Sequence, residues 1–261
     1  MINGKSSIWQ IGQTILDAVL PPSCVLCGDK LTNSDLCDTC KFSLLHSWPP
    51  LAIACRYCGL PRPREPIPAD DEHCAGCRHK KFGFDEVIAL AIYQEAVREA
   101  VVAAKLARHA PLATALGGLL ANCVLNTMAD TRSDQRPQRV TFVPSHIIRR
   151  LQRAGMGGVA TMSAVVAKRL GKDAEPLLRL TRRVRKQSML ADSERPANVR
   201  GAFAIKNRYA VGQRLSLENH EVLLVDDVLT SGSTASEIAR VLKDAGAAKV
   251  TLAVVARAVR R

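Results

Sequence analysis

Residues 222–234 constrain the fold of this chain more than any other stretch. They read Val-Leu-Leu-Val-Asp-Asp-Val-Leu-Thr-Ser-Gly-Ser-Thr. Their four leading apolar residues predict a buried parallel strand with Asp226 and Asp227 at its carboxyl end, and residues 235–245 predict a helix. A second apolar run at 249–256 predicts the next strand. This order predicts an α/β fold with a mainly parallel sheet, right-handed crossovers and a ligand at the carboxyl ends of the strands.

The loop between the predicted strand and helix has the composition of an anion site. Backbone N–H groups at the start of a helix carry the positive end of its dipole, and Gly232 lets the backbone approach a ligand closely. Two carboxylates beside a phosphate would repel it unless they bind its hydroxyls or a hard cation such as magnesium. The expected ligand is therefore a sugar phosphate, and helix capping through Ser233 is the purely structural alternative. The residues that surround the phosphate are Thr230, Ser231, Gly232, Ser233 and Thr234.

Eight of the nine cysteines form four Cys-x-x-Cys pairs, a spacing typical of metal sites rather than of a disulfide framework. Two pairs complete one tetrahedron, so the count predicts two structural zinc ions. The separations favour sequential ribbons, with cross-braced pairing as the alternative, and His73 and His79 are alternative ligands. Because the segment is poor in apolar residues, it should need the metal to fold. The predicted ligands are Cys24, Cys27, Cys37, Cys40, Cys55, Cys58, Cys74 and Cys77.

The pattern along the chain predicts three parts: an amphipathic helix within residues 1–22, a double zinc ribbon at 23–82 and an α/β domain at 83–261. Polar residues interrupt the apolar run at 8–20, so it suits neither a membrane span nor the core of a signal peptide. We interpret it as a docking helix, with a peripheral membrane or partner contact as the alternative. Metal-type cysteine spacing and the lack of a signal-peptide core predict a cytoplasmic protein.

The pattern Asp226-Asp227-x-x-Thr230-Ser231-Gly232-x-Thr234 resembles the phosphoribosyl pyrophosphate motif of type I phosphoribosyltransferases. That resemblance implies that the two aspartates hold the ribose hydroxyls and magnesium, and that residues 230–234 hold the 5-phosphate. Together with the cysteine pairs and the sequence of residues 16–28, the chain resembles the ComF family. The resemblance implies a zinc-binding module joined to a type I phosphoribosyltransferase-like domain, associated in many bacteria with DNA uptake in natural transformation.

The same resemblance suggests how the pyrophosphate side of the site is built. The apolar run at 140–143 predicts a strand that ends at Pro144, and the resemblance places Pro144 and Ser145 near the reacting bond. Arg149 and Arg153 are candidate pyrophosphate ligands, since guanidinium groups bind phosphate through two bonds. Residues 153–158 read Arg-Ala-Gly-Met-Gly-Gly, where the family is expected to carry an arginine-glycine-aromatic-asparagine-glutamine block. Lys105 is expected near the start of the second domain, in a hood over the site.

Charge and sequence leave two functions open. The chain has a net charge of +13, of which residues 145–210 carry +11, from 15 Lys or Arg and 4 Asp or Glu. A basic face beside a phosphate site suits a polyanionic ligand, a nucleic acid, or both. The first function is a magnesium-dependent transferase that moves a phosphoribosyl group to an unknown acceptor. The second is a phosphoribosyl pyrophosphate- or nucleotide-sensing module that binds single-stranded DNA or a competence helicase.

Overall fold

The computed structural model describes residues 23–31, 35–46, 54–62, 73–106, 109–129, 131, 136–144, 158–184, 194–206 and 216–259. Within them lie six helices, which are α1 (Asp38–Leu45), α2 (Glu95–Ala104), α3 (Ala110–Thr127), α4 (Gly158–Arg169), α5 (Arg195–Val199) and α6 (Ser233–Asp244). The six strands are β1 (Glu86–Ile92), β2 (Arg139–Phe142), β3 (Leu178–Leu180), β4 (Phe203–Ile205), β5 (Glu221–Leu229) and β6 (Lys249–Arg257). The predicted amphipathic helix at 1–22 lies outside the described residues.

Four strands form one parallel sheet in the order β1-β6-β5-β2. The two inner strands are the most apolar: residues 222–225 of β5 and 250–256 of β6 are almost fully buried. Strands covered on both faces read as continuous apolar runs, which is why the sequence predicts them well. The predicted parallel α/β fold is therefore confirmed.

Helices cover the sheet on both faces. One apolar cluster joins α2, α3 and α4 to residues of β1, β5 and β6, and a second joins α6 to the other face of the same strands. Among the described helices, α3 alone has the length and apolarity of a membrane span. It packs against α4 and β1 with seven buried residues, and it forms the centre of the first cluster.

Strands β3 and β4 form a short antiparallel pair outside the main sheet. The chain reaches β3 by running beside β2, where Glu175 N donates to Val140 O and Arg139 Nη1 pairs with the Glu175 carboxylate at 2.7 Å. The pair is anchored to α6, because Gly201 N donates to Glu237 Oε1 at 2.8 Å. This layer therefore stands next to the helix that follows the predicted phosphate loop.

The two cysteine clusters attach to different parts of the domain. Cys24 and Cys40 belong to the apolar cluster of α2 and α3, whereas Cys55, Cys58 and Cys77 form a cluster of their own that includes Phe82. Backbone contacts fasten the second cluster to β1, since Val87 N donates to Arg56 O at 2.7 Å. The Arg56 side chain also pairs with Glu86.

Candidate functional site

The two aspartates lie within β5 rather than beyond its end. The strand continues through Val228 and Leu229, which pair with Ala256 and Arg257 of β6. The sequence prediction placed the carboxylates at the carboxyl end of a four-residue strand, and it was wrong there because Val228 and Leu229 are apolar enough to extend the ladder. Both side chains are half-buried near the carboxyl ends of the parallel strands, where ligands bind in open α/β sheets.

Asp227 already has a cationic partner. Lys105 Nζ lies 2.9 Å from Asp227 Oδ2, and Lys105 is the C-cap of α2. Burial opposes the charge on Lys105, but the field of Asp227 outweighs it, so the pKa of Lys105 is raised. The site thus attracts a cation at the carboxylate that the sequence assigns to magnesium and ribose.

Asp226 lies in a less favourable environment. Burial raises the pKa of Asp226 to about 8, and the negative charge of Asp227 adds to that effect. The Asp226 carboxylate does accept a hydrogen bond, from Asp227 N at 2.9 Å. Near neutral pH, therefore, Asp226 holds a proton that a cation or a donor group of a ligand would displace.

The predicted phosphate loop, residues 230–234, leads directly into α6. Gly232 is the N-cap with φ 84° and ψ −1°, a left-handed conformation that favours glycine. Ser231 Oγ lies 3.0 Å from Ser233 Oγ, so two hydroxyls already converge on one point. The first turn of α6 carries no acidic residue. The loop therefore presents hydroxyls and helix N–H groups with no competing charge, which suits a phosphate.

Part of the pyrophosphate side lies outside the described residues. Pro144 lies two residues after the end of β2 and is half-buried. Because β2 pairs with β5 in parallel, Pro144 is at the same edge of the sheet as the aspartates. Ser145, Arg149 and Arg153 lie outside the described residues, as do positions 153–157. The structure therefore brings together the aspartates, the loop, Lys105 and Pro144.

The eight paired cysteines form two separate clusters, 24/27/37/40 and 55/58/74/77. The pairing is sequential, so the cross-braced alternative is not the one this chain uses. Neither candidate histidine belongs to a cluster: His73 stacks on Tyr57 with ring centroids 4.2 Å apart. A backbone hydrogen bond closes the first turn of each cluster, since Gly28 N donates to Cys24 O at 2.8 Å and Gly59 N to Cys55 O at 2.7 Å.

The geometry of both clusters fits zinc. Four Zn–S bonds of about 2.3 Å place neighbouring sulfurs about 3.8 Å apart. The structure has 3.7 Å between the sulfurs of Cys27 and Cys37, 3.7 Å between Cys55 and Cys77, and 3.4 Å between Cys58 and Cys74. These distances are far longer than a disulfide bond. Both sets are closed tetrathiolates, so the metal would stabilise each ribbon and leave no open position for chemistry.

The second cluster has additional positive neighbours. Arg62 Nη2 donates to Cys55 Sγ at 3.4 Å. A hydrogen bond from Cys58 and this contact, against the opposing effect of burial, lower the pKa of Cys55 to about 3. Guanidinium groups beside sulfur favour the thiolate, the form that binds metal.

Arg257, which the sequence prediction missed, lies between this cluster and the phosphate loop. The side chain is 6% exposed, and its guanidinium donates to four backbone carbonyls. The acceptors are Cys58 at 2.6 Å, Leu229 at 2.9 Å, Thr230 at 2.7 Å and Ala258 at 2.6 Å. The available signal was an arginine that ends an otherwise apolar run, a pattern that normally indicates an exposed strand end.

An open cleft of about 650 Å³ lies elsewhere, between the second cluster and the amino ends of β1 and β6. Its lining includes Tyr57, His73, Asp85 and Lys249. Because the aspartates and the loop lie toward the carboxyl ends of the strands, this cleft is separate from the site described above.

Two family models match separate stretches of the chain. Residues 15–80 match the family model of the double zinc ribbon domain, and residues 157–261 match that of the phosphoribosyl transferase domain. DNA utilization protein YhgH of Escherichia coli strain K12 is 29% identical over 233 residues, which cover 84% of this chain and 96% of that protein. Competence protein F of Haemophilus influenzae is 25% identical over 243 residues, which cover 90% of this chain and 96% of that protein.

Solved structures overlap only with part of the chain. The structure of the allosteric regulatory enzyme of purine biosynthesis is 21% identical with a TM-score of 0.34, covering 55% of this chain and 26% of that one. Leishmania donovani hypoxanthine-guanine phosphoribosyl transferase is 14% identical with a TM-score of 0.32, and the match covers 56% of this chain and 71% of that one. The fold assignment therefore rests on the parallel sheet and on the family match.

Proposed function

As this chain is a member of the ComF family, built from a double zinc ribbon and a phosphoribosyltransferase domain, we propose that it binds phosphoribosyl pyrophosphate with magnesium. The observation that carries the proposal is the continuity of β5, loop 230–234 and α6, which places two carboxylates next to an anion-binding helix start. Hydroxyls and N–H groups of the loop hold the 5-phosphate. Asp226 and Asp227 accept hydrogen bonds from the ribose hydroxyls.

Magnesium fits the donor set, since carboxylate oxygens are the ligands this ion prefers and Asp227 already binds an ammonium group. The ion would neutralise charge on the pyrophosphate as it leaves C1 of the ribose. Lys105 leaves Asp227 when the ligand enters, and its ammonium then faces the departing pyrophosphate. An acceptor nucleophile bonds to C1 as the bond from C1 to the pyrophosphate oxygen breaks, and the bonding electrons leave with pyrophosphate.

The homologues' names suggest a role in DNA handling, and a second function follows from the sequence. Residues 153–158 lack the polar residues expected of a catalytic loop, while residues 145–210 carry a charge of +11. These observations favour a non-catalytic module that senses phosphoribosyl pyrophosphate or a nucleotide and binds single-stranded DNA or a competence helicase. We propose this as the alternative, in which the site binds its ligand and releases no pyrophosphate.

Calorimetric titration of the zinc-loaded protein with phosphoribosyl pyrophosphate, with and without magnesium, tests the proposed ligand. We expect magnesium-dependent binding in the wild type and at least tenfold weaker binding in Asp227→Ala, because that carboxylate is expected to contact both sugar and metal. Asp244→Ala is the matched control, since Asp244 is an exposed carboxylate on α6 that pairs with Arg240. Equal affinity in all three proteins would refute the site.

A pyrophosphate-release assay with nucleobases and small amines as acceptors then separates the two functions. Release that depends on Asp227 supports the transferase. Binding without release, together with salt-dependent binding of single-stranded DNA, supports the sensing module.

A further inference from the structure

We propose that Arg257 is a positioning residue, through which metal binding at the second zinc ribbon sets the shape of the phosphate loop. The second ribbon is the cluster of Cys55, Cys58, Cys74 and Cys77. The proposal concerns the loop itself, and only its consequence for ligand affinity rests on the function proposed above.

The first support is the set of acceptors around one guanidinium. Its Nε donates to the carbonyl of Cys58, a residue of the metal cluster, while its Nη1 donates to the carbonyls of Leu229 and Thr230. Leu229 ends β5, and Thr230 begins the phosphate loop. One planar group thus fixes the distance between the ribbon and the loop, and its fork geometry makes that link rigid.

The second support is charge balance. A buried guanidinium normally requires a negative partner. Among the described residues, no carboxylate lies within ion-pair distance of Arg257. Four thiolates around one divalent ion form a net negative group, so the loaded ribbon supplies the counter-charge that Arg257 needs.

A third contact joins the ribbon to the loop without Arg257. Phe82 packs against the cysteines of the second ribbon and stacks on Phe84, with ring centroids 4.8 Å apart. Its ring also abuts the loop, because a Cβ added at Gly232 would lie 2.8 Å from Phe82 Cε1. Ribbon, aromatic pair and loop therefore pack as one continuous unit.

The first ribbon provides an internal control. Cys24 and Cys40 pack into the apolar cluster that contains α2 and α3. The hydrogen bonds of its cysteines stay within the ribbon: Cys24 N donates to Asp29 O, Cys37 N to Cys24 Sγ and Cys40 N to Cys37 Sγ. Loss of its metal should therefore leave the phosphate loop unchanged.

Hydrogen exchange of the full-length protein without ligand tests the proposal. Cys74→Ser removes a ligand of the second ribbon, and Cys27→Ser removes one of the first, with one zinc per chain expected in each by elemental analysis. We expect amide exchange in residues 236–238 to accelerate at least tenfold in Cys74→Ser and to match the wild type in Cys27→Ser. These are the first amides of α6 that can bond to carbonyls of the loop and first turn, as Ser236 N does to Gly232 O. Unchanged exchange at 222–225 shows that the sheet remains folded.

Two variants of Arg257 separate positioning from simple packing. Arg257→Met removes the donors and should reproduce the exchange of Cys74→Ser with both zinc ions retained. Arg257→Lys keeps the charge and one donor, so it should recover part of the protection. If Arg257→Met does not fold, the comparison of Cys74→Ser with Cys27→Ser still decides whether the second ribbon shapes the loop.

Two results would overturn the proposal: protected amides at 236–238 in Cys74→Ser, or equal acceleration in both cysteine variants. Coupling between two sites is reciprocal. Phosphoribosyl pyrophosphate should therefore slow chelator-driven release of the second zinc alone. If phosphoribosyl pyrophosphate fails to bind, the proposed function fails, and the exchange data without ligand still decide the role of Arg257.

Discussion

At the scale of single residues, the site combines one carboxylate that is paired with a cation and one whose negative charge is disfavoured. Asp227 is held by Lys105, whereas Asp226 is disfavoured as an anion by burial and by its neighbour. A buried carboxylate whose pKa is raised, next to a second carboxylate that is paired with a cation, is typical of functional sites, because a fold alone gains nothing from burying Asp226. The cost of Asp226 to the folded state should therefore be measurable.

We predict that Asp226→Asn stabilises the protein. The pKa of Asp226 rises from its ordinary value of 3.8 to about 8 on folding. Between these values the folded state binds more protons than the unfolded state, so wild-type stability falls as pH rises from about 4 to about 8. The Asn variant lacks this loss and should gain on the order of 1–3 kcal/mol relative to the wild type between pH 4 and pH 8.

Urea unfolding at several pH values measures this difference. The same variant should lose magnesium-dependent ligand binding, since stability and function oppose each other at such sites. A stability difference that does not change with pH would contradict the raised pKa.

Residue types explain why parts of the site were predictable. The carboxylates, hydroxyls and Gly232 form a contiguous motif, so the sequence displays them together. Lys105 was expected near the site from the family resemblance, without its partner Asp227. Arg257 is different, because its acceptors Thr230 and Cys58 lie 27 and 199 positions away in the chain. Burial of a lone arginine against backbone carbonyls leaves no sequence pattern, and Arg257 could only be found in the folded structure.

At the scale of elements, the contact between α3 and α4 depends on a glycine. A Cβ added at Gly117 would lie 3.0 Å from backbone atoms of Met162 in α4, whereas one added at Gly118 would meet nothing within 4 Å. The two neighbours in α3 therefore differ in what surrounds them. Gly117 permits close packing of the helices, and Gly118 only weakens its own helix.

We predict opposite effects of substitution at the two positions. Gly117→Val should lower the free energy of unfolding by about 1–3 kcal/mol, because neighbouring backbone must move. Gly118→Ala should raise it by about 0.5–1 kcal/mol through better helix propensity. Chemical denaturation of both variants measures the two changes in the free energy of unfolding. Similar losses in both would contradict the difference in surroundings between Gly117 and Gly118.

Elements also differ in how well the sequence predicts them. The apolar runs at 140–143, 222–225 and 249–256 predicted β2, β5 and β6, because the central residues of these strands are buried. The antiparallel pair β3 and β4 went unpredicted, since three-residue strands carry too little alternation to detect. Cysteine spacing predicted two metal clusters and favoured the sequential pairing that the structure has. Spacing alone left the cross-braced alternative open.

At the scale of the whole molecule, residues 81–85 connect the ribbons to the domain and touch α6 directly. Lys243 Nζ lies 2.7 Å from Asp85 Oδ1, and the other Asp85 oxygen accepts from Val250 N at 2.8 Å. A Cβ added at Gly83 would lie 2.2 Å from Ser236 O, in the first turn of α6. The junction between the ribbons and the domain is thus in close contact with the first turn of α6.

We predict that Gly83→Ala costs about 1–3 kcal/mol of stability. If the first turn of α6 holds the phosphate as proposed, the variant also weakens ligand binding, because Ser236 O belongs to that turn. Lys81→Ala, two residues away and exposed, should change stability by less than about 0.5 kcal/mol. Urea titration and calorimetry measure the two effects. Normal affinity in a destabilised Gly83→Ala protein would show that the junction supports the fold alone.

The position of β6 in the sheet has a consequence for biosynthesis. This strand lies between β1 and β5, yet it is made after both. Each ribbon can close around its metal early, since its ligands are near in sequence, whereas the sheet joins only when β6 emerges from the ribosome. A chain interrupted before that point presents β1 and β5 as open edges, which invite pairing with other chains. Incomplete chains of this protein should therefore aggregate more readily, unless they are degraded, than those of a protein whose central strands precede its edge strands in the sequence.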